Sequence, residues 1–322
     1  MKNKEQNLYL SIVVPVYRSE SIVFKLVKEI HSQMVGQSLD DRYELILVND
    51  ASPDDSWQKI CEASKTYPSL KAISLRKNFG QHNATMAGLN HSAGEIVIIM
   101  DDDLQHPPDA IGLLLKQIEG GFDVCYTKYL NRKHALWKKL GSSFNNWVAT
   151  KLINKPPTLY LSSFKAIRKN VVKEIIRYTG PYPYIDGLIM DVTRSLTSVE
   201  INHQERAEGI GNYNIKSSIS LWLKMATNFS VTPLRLASYT GIVLSLFSLV
   251  LIMFVILQKL INPDMQAGWT SLIATILFIG GVQTLCIGMI GEYLGRTYLN
   301  ANGKPQYVIA EQLNFESVNN SV

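Results

Sequence analysis

The stretch EIVIIMDDDLQHPP, Glu95 to Pro108, runs five apolar residues straight into three aspartates. A short apolar run of this kind, bounded by polar residues, reads as a strand buried on both faces. Like charges at neighbouring positions repel, so the aspartates are either a solvated acidic turn or a set held against something positive. In a turn at the end of a strand, Asp101 and Asp103 would face one side and Asp102 would point away. Two carboxylates at short range suit Mg²⁺ or Mn²⁺, which keep water ligands and also bind substrate phosphates.

Working outward, residues up to about 130 alternate strand and helix patterns. LSIVVPVY, YELILVND, KAISL, EIVIIM and FDVCYTKY read as strands. Between them, IVFKLVKEIHSQM carries apolar residues at Ile22, Leu26 and Ile30, and PPDAIGLLLKQIEGG places Ile111, Leu114, Leu115 and Ile118 on one helical face. A helix is also expected near NATMAGLNHSA. In SPDDSWQKICEAS, Ser52 is placed to cap and Pro53 to take the first helical position. Such alternation implies an α/β fold, a mostly parallel sheet with helices on both faces. Ligands of these sheets bind beyond the carboxyl ends of the strands. Tyr17 and Glu20, then Asn49 and Asp50, then Asp101 to Asp103 all fall there. Neither G-x-G-x-x-G nor G-x-x-x-x-G-K-[ST] occurs, so the phosphates of a nucleotide need another partner. A metal held by carboxylates supplies one, acting as a Lewis acid toward a departing diphosphate.

The 322 residues carry a net charge of +5 and are 46% hydrophobic, enough for one sizeable domain and an appendage. Cys61, Cys125 and Cys286 show no paired spacing, which argues against a disulfide framework or zinc site and fits a reducing compartment. The polar start, MKNKEQN, and the strand-like segment after it give no sign of a signal peptide. No nucleic-acid partner is expected. Two stretches lack charge altogether: Ser238 to Gln258, and Met265 to Gly291 between Asp264 and Glu292. Each is long enough to cross a hydrocarbon core of about 30 Å as a helix. Trp269 and Tyr293 sit at the ends of the second, where aromatic belts are expected. Lys216, Lys224 and Arg235 precede the pair and Arg296 and Lys304 follow it, which places both flanks in the cytoplasm. Just before the first stretch, Ile219, Trp222, Leu223, Ala226 and Phe229 share one helical face, the pattern of a helix lying in the membrane interface.

VVPVYRSE, LVNDASPDDS, KNFGQHNATMAGLNHSAGEIVIIMDDDLQHPP, HQERAEGIGNY, TPLR and GEYLGRTY, in this order, resemble the family 2 inverting glycosyltransferases of GT-A fold. Within that family the chain looks most like the membrane-anchored polyprenyl-phosphate transferases, in the branch of the undecaprenyl-phosphate formamido-arabinose transferases and bacterial polyprenyl-phosphate glucosyl transferases. The resemblance implies a metal-dependent transferase moving a sugar from a nucleotide sugar, a UDP sugar, to a polyprenyl phosphate for lipopolysaccharide or other surface-glycan modification. It also implies a multi-pass protein of the bacterial inner membrane, with the catalytic domain and both termini cytoplasmic. The expected division is a GT-A domain over 1–215, an interfacial helix over 216–235, a transmembrane hairpin over 236–296 and a tail over 297–322. The two spans leave surface for a homo-oligomer.

By the same resemblance, Pro15, Tyr17 and Glu20 would line the pocket for base and ribose, and Asp50 would hydrogen-bond one of them. Asp101 and Asp103 would be the metal-binding D-x-D and, with Arg206, the catalytic set. Asp102, Gln105, Lys77, Arg132 and Arg206 would join them around the nucleotide sugar, with Gln105 on the metal or diphosphate. The chain departs from the family where many members carry an aspartate: PPTLYLSSFKAIRK offers only Tyr160, Ser162 and Ser163. A phosphate acceptor tolerates that loss. Its second pKa of about 6 makes it a ready nucleophile at neutral pH, needing position and charge screening instead of a base. Lys128, Arg132, Lys133, Lys138 and Lys139 form a basic run that would receive it, or else a solvated helix face. A sugar-hydroxyl acceptor would need a base, with Asp102 or Asp186 the nearest candidates. A transferase to a hydroxyl of a lipid-linked glycan, and a noncatalytic membrane scaffold that keeps the nucleotide fold, are the alternatives.

Overall fold

The computed structural model describes residues 8–130, 156, 159–202, 232–261 and 268–315, with part of the side chains inside the two C-terminal helices left out. The chain divides into two compact units, residues 1–212 with 303–322, and residues 213–302.

The first unit is built on eight strands. In chain order they are β1 (Leu10–Val16), β2 (Tyr43–Asn49), β3 (Leu70–Leu75), β4 (Ile96–Ile99), β5 (Val124–Leu130), β6 (Lys165–Arg168), β7 (Leu196–Asn202) and β8 (Ile309–Leu313). The sheet order is β7-β5-β6-β4-β1-β2-β3-β8. β1, β2, β3 and β4 run parallel, as do β5 and β7, while β6 and β8 run antiparallel to their neighbours. Every residue of β1 and β2 is buried, as expected of central strands covered on both faces.

Four helices intervene: α1 (Val23–Gly36), α2 (Ser56–Thr66), α3 (Gln81–Asn90) and α4 (Ile111–Glu119), the last preceded by a 3₁₀ turn at Pro108–Ala110. α1 buries Val23, Leu26, Val27, Ile30 and Met34, and α4 buries Ile111, Leu114, Leu115 and Ile118. α3 lies unusually close to the sheet at Gly88, where a Cβ would stand 2.3 Å from a Val13 methyl. The expected start of α2 is corrected. Ser52 does not cap it and Pro53 is not its first residue; the helix begins at Ser56. Ser52 instead accepts the Arg18 N–H at 2.7 Å and donates to Asp54 at 2.5 Å, which ties the β1 and β2 turns together.

Among the described residues, sequence reasoning assigned no element between 130 and 212 or in the tail. The structure adds β6, α5 (Lys169–Ile175), α6 (Ile185–Val192), β7 and the returning edge strand β8. The chain moves outward through β1, β2 and β3, then crosses back so that β4 pairs with the other side of β1. That reversal opens a crevice at the carboxyl ends of β1 and β4, the place where open α/β sheets bind ligands.

The second unit contains α7 (Thr232–Ile261) and α8 (Trp269–Ala301), helices of 30 and 33 residues. Large apolar side chains on both are exposed, Val250 and Ile287 among them. Among the described residues no helix is long and apolar enough to cross a membrane. The expected interfacial helix lies outside the described residues apart from its last few positions.

Candidate active site

At the crevice an open cavity of about 310 Å³ is lined by Pro15, Val16 and Tyr17 from β1 and its turn, and by Asp50 from the end of β2. Asn78, Gly80 and Gln81 from the β3–α3 loop, and Asp101, Asp102 and Asp103 from the end of β4, complete it. Residues separated by up to 88 positions thus meet because parallel strands end on one edge. No lysine or arginine is among these lining residues. Three non-glycine residues of the rim, Arg18, Ala51 and Leu104, adopt φ of 58°, 49° and 57°. Each left-handed residue costs on the order of 1 kcal/mol, and such strain concentrates at functional sites.

The three aspartates have different surroundings. Asp101 is the most constrained: Gln81 donates to its Oδ1 at 2.6 Å, and Ser163 to its Oδ2 at 2.5 Å, with His106 Nε2 3.2 Å from the same oxygen. Ser163 stands beside Asp101 because β6 runs antiparallel to β4, pairing Lys165 with Ile99. Burial alone would raise the Asp101 carboxyl. The hydrogen bonds and charge of His106, the Ser163 hydroxyl and the charge of Lys165 outweigh it and hold the carboxyl below its ordinary value.

Asp102 does not point away, contrary to the expectation. Its Oδ2 accepts the Tyr17 N–H at 3.1 Å and the Ser19 hydroxyl, bonds that draw it across the crevice to the β1 turn. Burial pushes its pKa up to about 6, opposed by the bonds from Ser19 and Tyr17 and reinforced by Asp101 and Asp103. Asp103 accepts the Gln105 N–H at 3.1 Å, closing the turn after β4. All three carboxylates therefore border one cavity.

Asp50 accepts the N–H groups of Phe79 and Gly80 at 2.7 and 2.8 Å, so it holds the β3–α3 loop while lining the cavity. Burial raises its carboxyl, and those two bonds oppose the rise. Glu20 accepts the Asp55 N–H at 3.0 Å, at the entrance to α2. Lys77 lies 4.9 Å over the Phe79 ring. Neither residue, nor Gln105, is among those lining the cavity. Arg132 and Arg206 lie outside the described residues, as do Lys133, Lys138 and Lys139. Lys128 pairs with Glu200 at 3.1 Å.

Asp186 is not placed as a base at the cavity. It is paired with Lys165 in a buried contact and accepts the Tyr126 hydroxyl at 3.1 Å. Ser162 is likewise turned inward, 2.9 Å from the Thr127 hydroxyl. His106, Gln81 and Ser19 join the site without having been singled out in the sequence. The position of His106 within DDDLQHPP was the only signal that could have pointed to it.

Among the described residues, no group of three or more His, Cys, Asp or Glu side chains is arranged to hold a metal ion. The donor chemistry of the cavity still suits a hard divalent cation, because four carboxylates line it with no lysine or arginine among the lining residues.

The model of glycosyl transferase family 2 matches residues 11–176, and that of the GtrB C-terminal hairpin matches residues 232–297. The undecaprenyl-phosphate 4-deoxy-4-formamido-L-arabinose transferase of Yersinia enterocolitica is 31% identical, over 100% of this chain and 98% of that protein. An uncharacterized glycosyltransferase of Bacillus subtilis is also 31% identical, over 97% and 96%. Among solved structures, glucosyl-3-phosphoglycerate synthase from Mycobacterium tuberculosis, in complex with Mn²⁺, UDP and phosphoglyceric acid, superposes with a TM-score of 0.52. It is 16% identical, over 68% of this chain and 76% of that one, a likeness of fold. The chain belongs to glycosyl transferase family 2.

Proposed function

We propose that this chain transfers a sugar from a UDP sugar to a polyprenyl phosphate, with inversion at the anomeric carbon, at the cytoplasmic face of a bacterial membrane. The observation that carries the reading is the cavity at the strand reversal, lined by four carboxylates and by no lysine or arginine. A diphosphate would be repelled there unless a cation came with it. Asp101 and Asp103, with Asp102 beside them, would hold Mg²⁺ or Mn²⁺, whose chemistry when bound is to neutralise charge on the leaving diphosphate. Tyr17 and Pro15 offer an aromatic and apolar wall to a nucleoside, and Asp50 fixes the loop that carries Asn78 and Gly80 along it.

The acceptor follows from the state of the carboxylates. Asp186 is occupied by Lys165 and Tyr126, Asp101 by Gln81, Ser163 and His106, and Asp102 by the β1 turn. None of these is positioned as a general base, which favours a nucleophile that is already ionised. An oxygen of the phosphate monoester attacks the anomeric carbon, a new C–O bond forms on the face opposite the leaving group, and the old bond breaks with its electron pair going to UDP. The names of the curated relatives support this class of acceptor. Arg206 and Arg132, by family resemblance, would contact the diphosphate.

For the membrane, the support is the pair of uncharged runs from Ser238 to Gln258 and Met265 to Gly291, together with two helices of 30 and 33 residues bearing exposed apolar side chains. A 30-residue helix is about 45 Å long, against a hydrocarbon core of about 30 Å. The support for a span lies in the full sequence of the two runs, since the described residues by themselves contain no helix long and apolar enough to cross. We read them as a hairpin that holds the catalytic unit next to its lipid acceptor. Asp103→Ala tests the metal assignment. Metal-stimulated release of UDP should vanish in a variant that still inserts into membranes, and near-normal turnover would contradict the assignment.

A further inference from the structure

The chain leaves α8 at Ala301 and rejoins the catalytic unit at Gln306, a side chain 9% exposed. Its Nε2 donates to the carbonyls of Gly180 at 2.9 Å and Tyr178 at 3.3 Å. That turn is tied to the cavity by a second buried amide. Asn83 Nδ2 donates to the Pro181 carbonyl at 3.2 Å and to the Phe79 carbonyl at 2.8 Å. The Phe79 N–H in turn donates to Asp50. Independently, the Val308 carbonyl accepts the Arg76 N–H at 2.9 Å, at the root of the same β3–α3 loop, before β8 pairs along β3. Gln306 and Val308 thus hold both the entrance of the 76–80 loop and the turn packed behind it. The loop itself supplies Asn78 and Gly80 to the cavity wall.

We propose that the segment around Gln306–Val308 is a positioning element of the donor site: it fixes the 76–80 loop so that the nucleotide wall is formed before the donor arrives. The structure offers a physical reason for this role. Bonds from a buried amide to two backbone carbonyls are costly to leave unmade, and a wall already in place removes the ordering cost of binding. The chain that emerges from the C-terminal hairpin would then contribute to donor affinity without touching the donor. This inference rests on the reading of the cavity as a nucleotide-sugar site.

The test is calorimetric titration of UDP with Mn²⁺ into the full chain in detergent, alongside thermal melts, for wild type, Gln306→Ala, Gln306→Glu and Asn314→Ala. Gln306→Glu keeps the shape and loses the donor. Asn314 donates to the Leu70 carbonyl at the far end of β8, so its loss perturbs the same edge strand away from the cavity. Both Gln306 variants should bind UDP roughly tenfold more weakly, on the scale of one lost buried hydrogen bond, with Asn314→Ala binding as wild type does. Unchanged affinity in either Gln306 variant overturns the proposal. So does equal weakening in Asn314→Ala, which would make β8 a general edge support. Failure of the wild type to bind UDP would instead overturn the reading of the cavity.

Discussion

Replacing Asp102 by asparagine removes one charge from the rim and keeps an oxygen able to accept the Tyr17 N–H and the Ser19 hydroxyl. Burial raises the Asp102 carboxyl from 3.8 to about 6 in the folded chain. A carboxyl raised on folding contributes stability that is complete below the unfolded value and is lost as pH rises through the folded one. At pH 8 the ionised group therefore costs the metal-free protein up to about 3 kcal/mol, at about 1.4 kcal/mol per pH unit between the two values. The cost falls to about half at pH 5 and to about 0.5 kcal/mol at pH 4. With roughly 2–4 °C per kcal/mol for a domain of this size, Asp102→Asn should melt several degrees higher than wild type at pH 8, with the gain shrinking toward pH 4. The assay is a thermal melt of full-length protein in detergent and EDTA at pH 8, 5 and 4. A melting point at pH 8 that is unchanged or lower, or a gain that does not shrink on acidification, would refute the reasoning.

The buried pair of Lys165 and Asp186 makes a second prediction. Lys165→Met should destabilise by about 3–5 kcal/mol by leaving Asp186 unpaired, and adding Asp186→Leu should recover most of the loss; denaturant unfolding of the two variants measures both. Ser163→Ala removes one donor from Asp101 and should weaken Mn²⁺ binding by roughly two- to tenfold, the worth of one hydrogen bond. Ser163→Thr, which keeps the hydroxyl, should restore it. Metal titration without donor reads this directly, and equal affinity in all three proteins would show that Ser163 does not orient Asp101.

The first half of the fold was legible because β1 to β4 are short apolar runs with polar residues at their carboxyl ends, and parallel strands bring those ends to one edge. That logic reached Tyr17, Asp50 and the three aspartates. It missed the orientation of Asp102, whose partners Tyr17 and Ser19 lie more than 80 positions away. It passed over His106, and although Ser163 and Asp186 were named it did not place Ser163 beside Asp101 or pair Asp186 with Lys165. β6 is only four residues long and carries a buried lysine, so neither length nor apolar pattern announces it. The return of the tail as β8 was invisible too. Its exposed, polar residues are what an edge strand tolerates, and its pairing with β3 spans some 240 positions of chain. The start of α2 failed on competition: the Ser52 hydroxyl is taken by Asp54 and Arg18, leaving nothing to cap with.

The central claim is the nature of the acceptor, and its most direct measurement is mass spectrometry of the products formed from undecaprenyl phosphate, Mn²⁺ and a panel of UDP sugars by the purified full-length protein. The account predicts UDP release that depends on the lipid phosphate, together with a new lipid-phosphate sugar one sugar heavier than the acceptor. Release of UDP with the lipid phosphate left unmodified, and sugar transfer appearing only when a lipid-linked glycan is supplied, would contradict it.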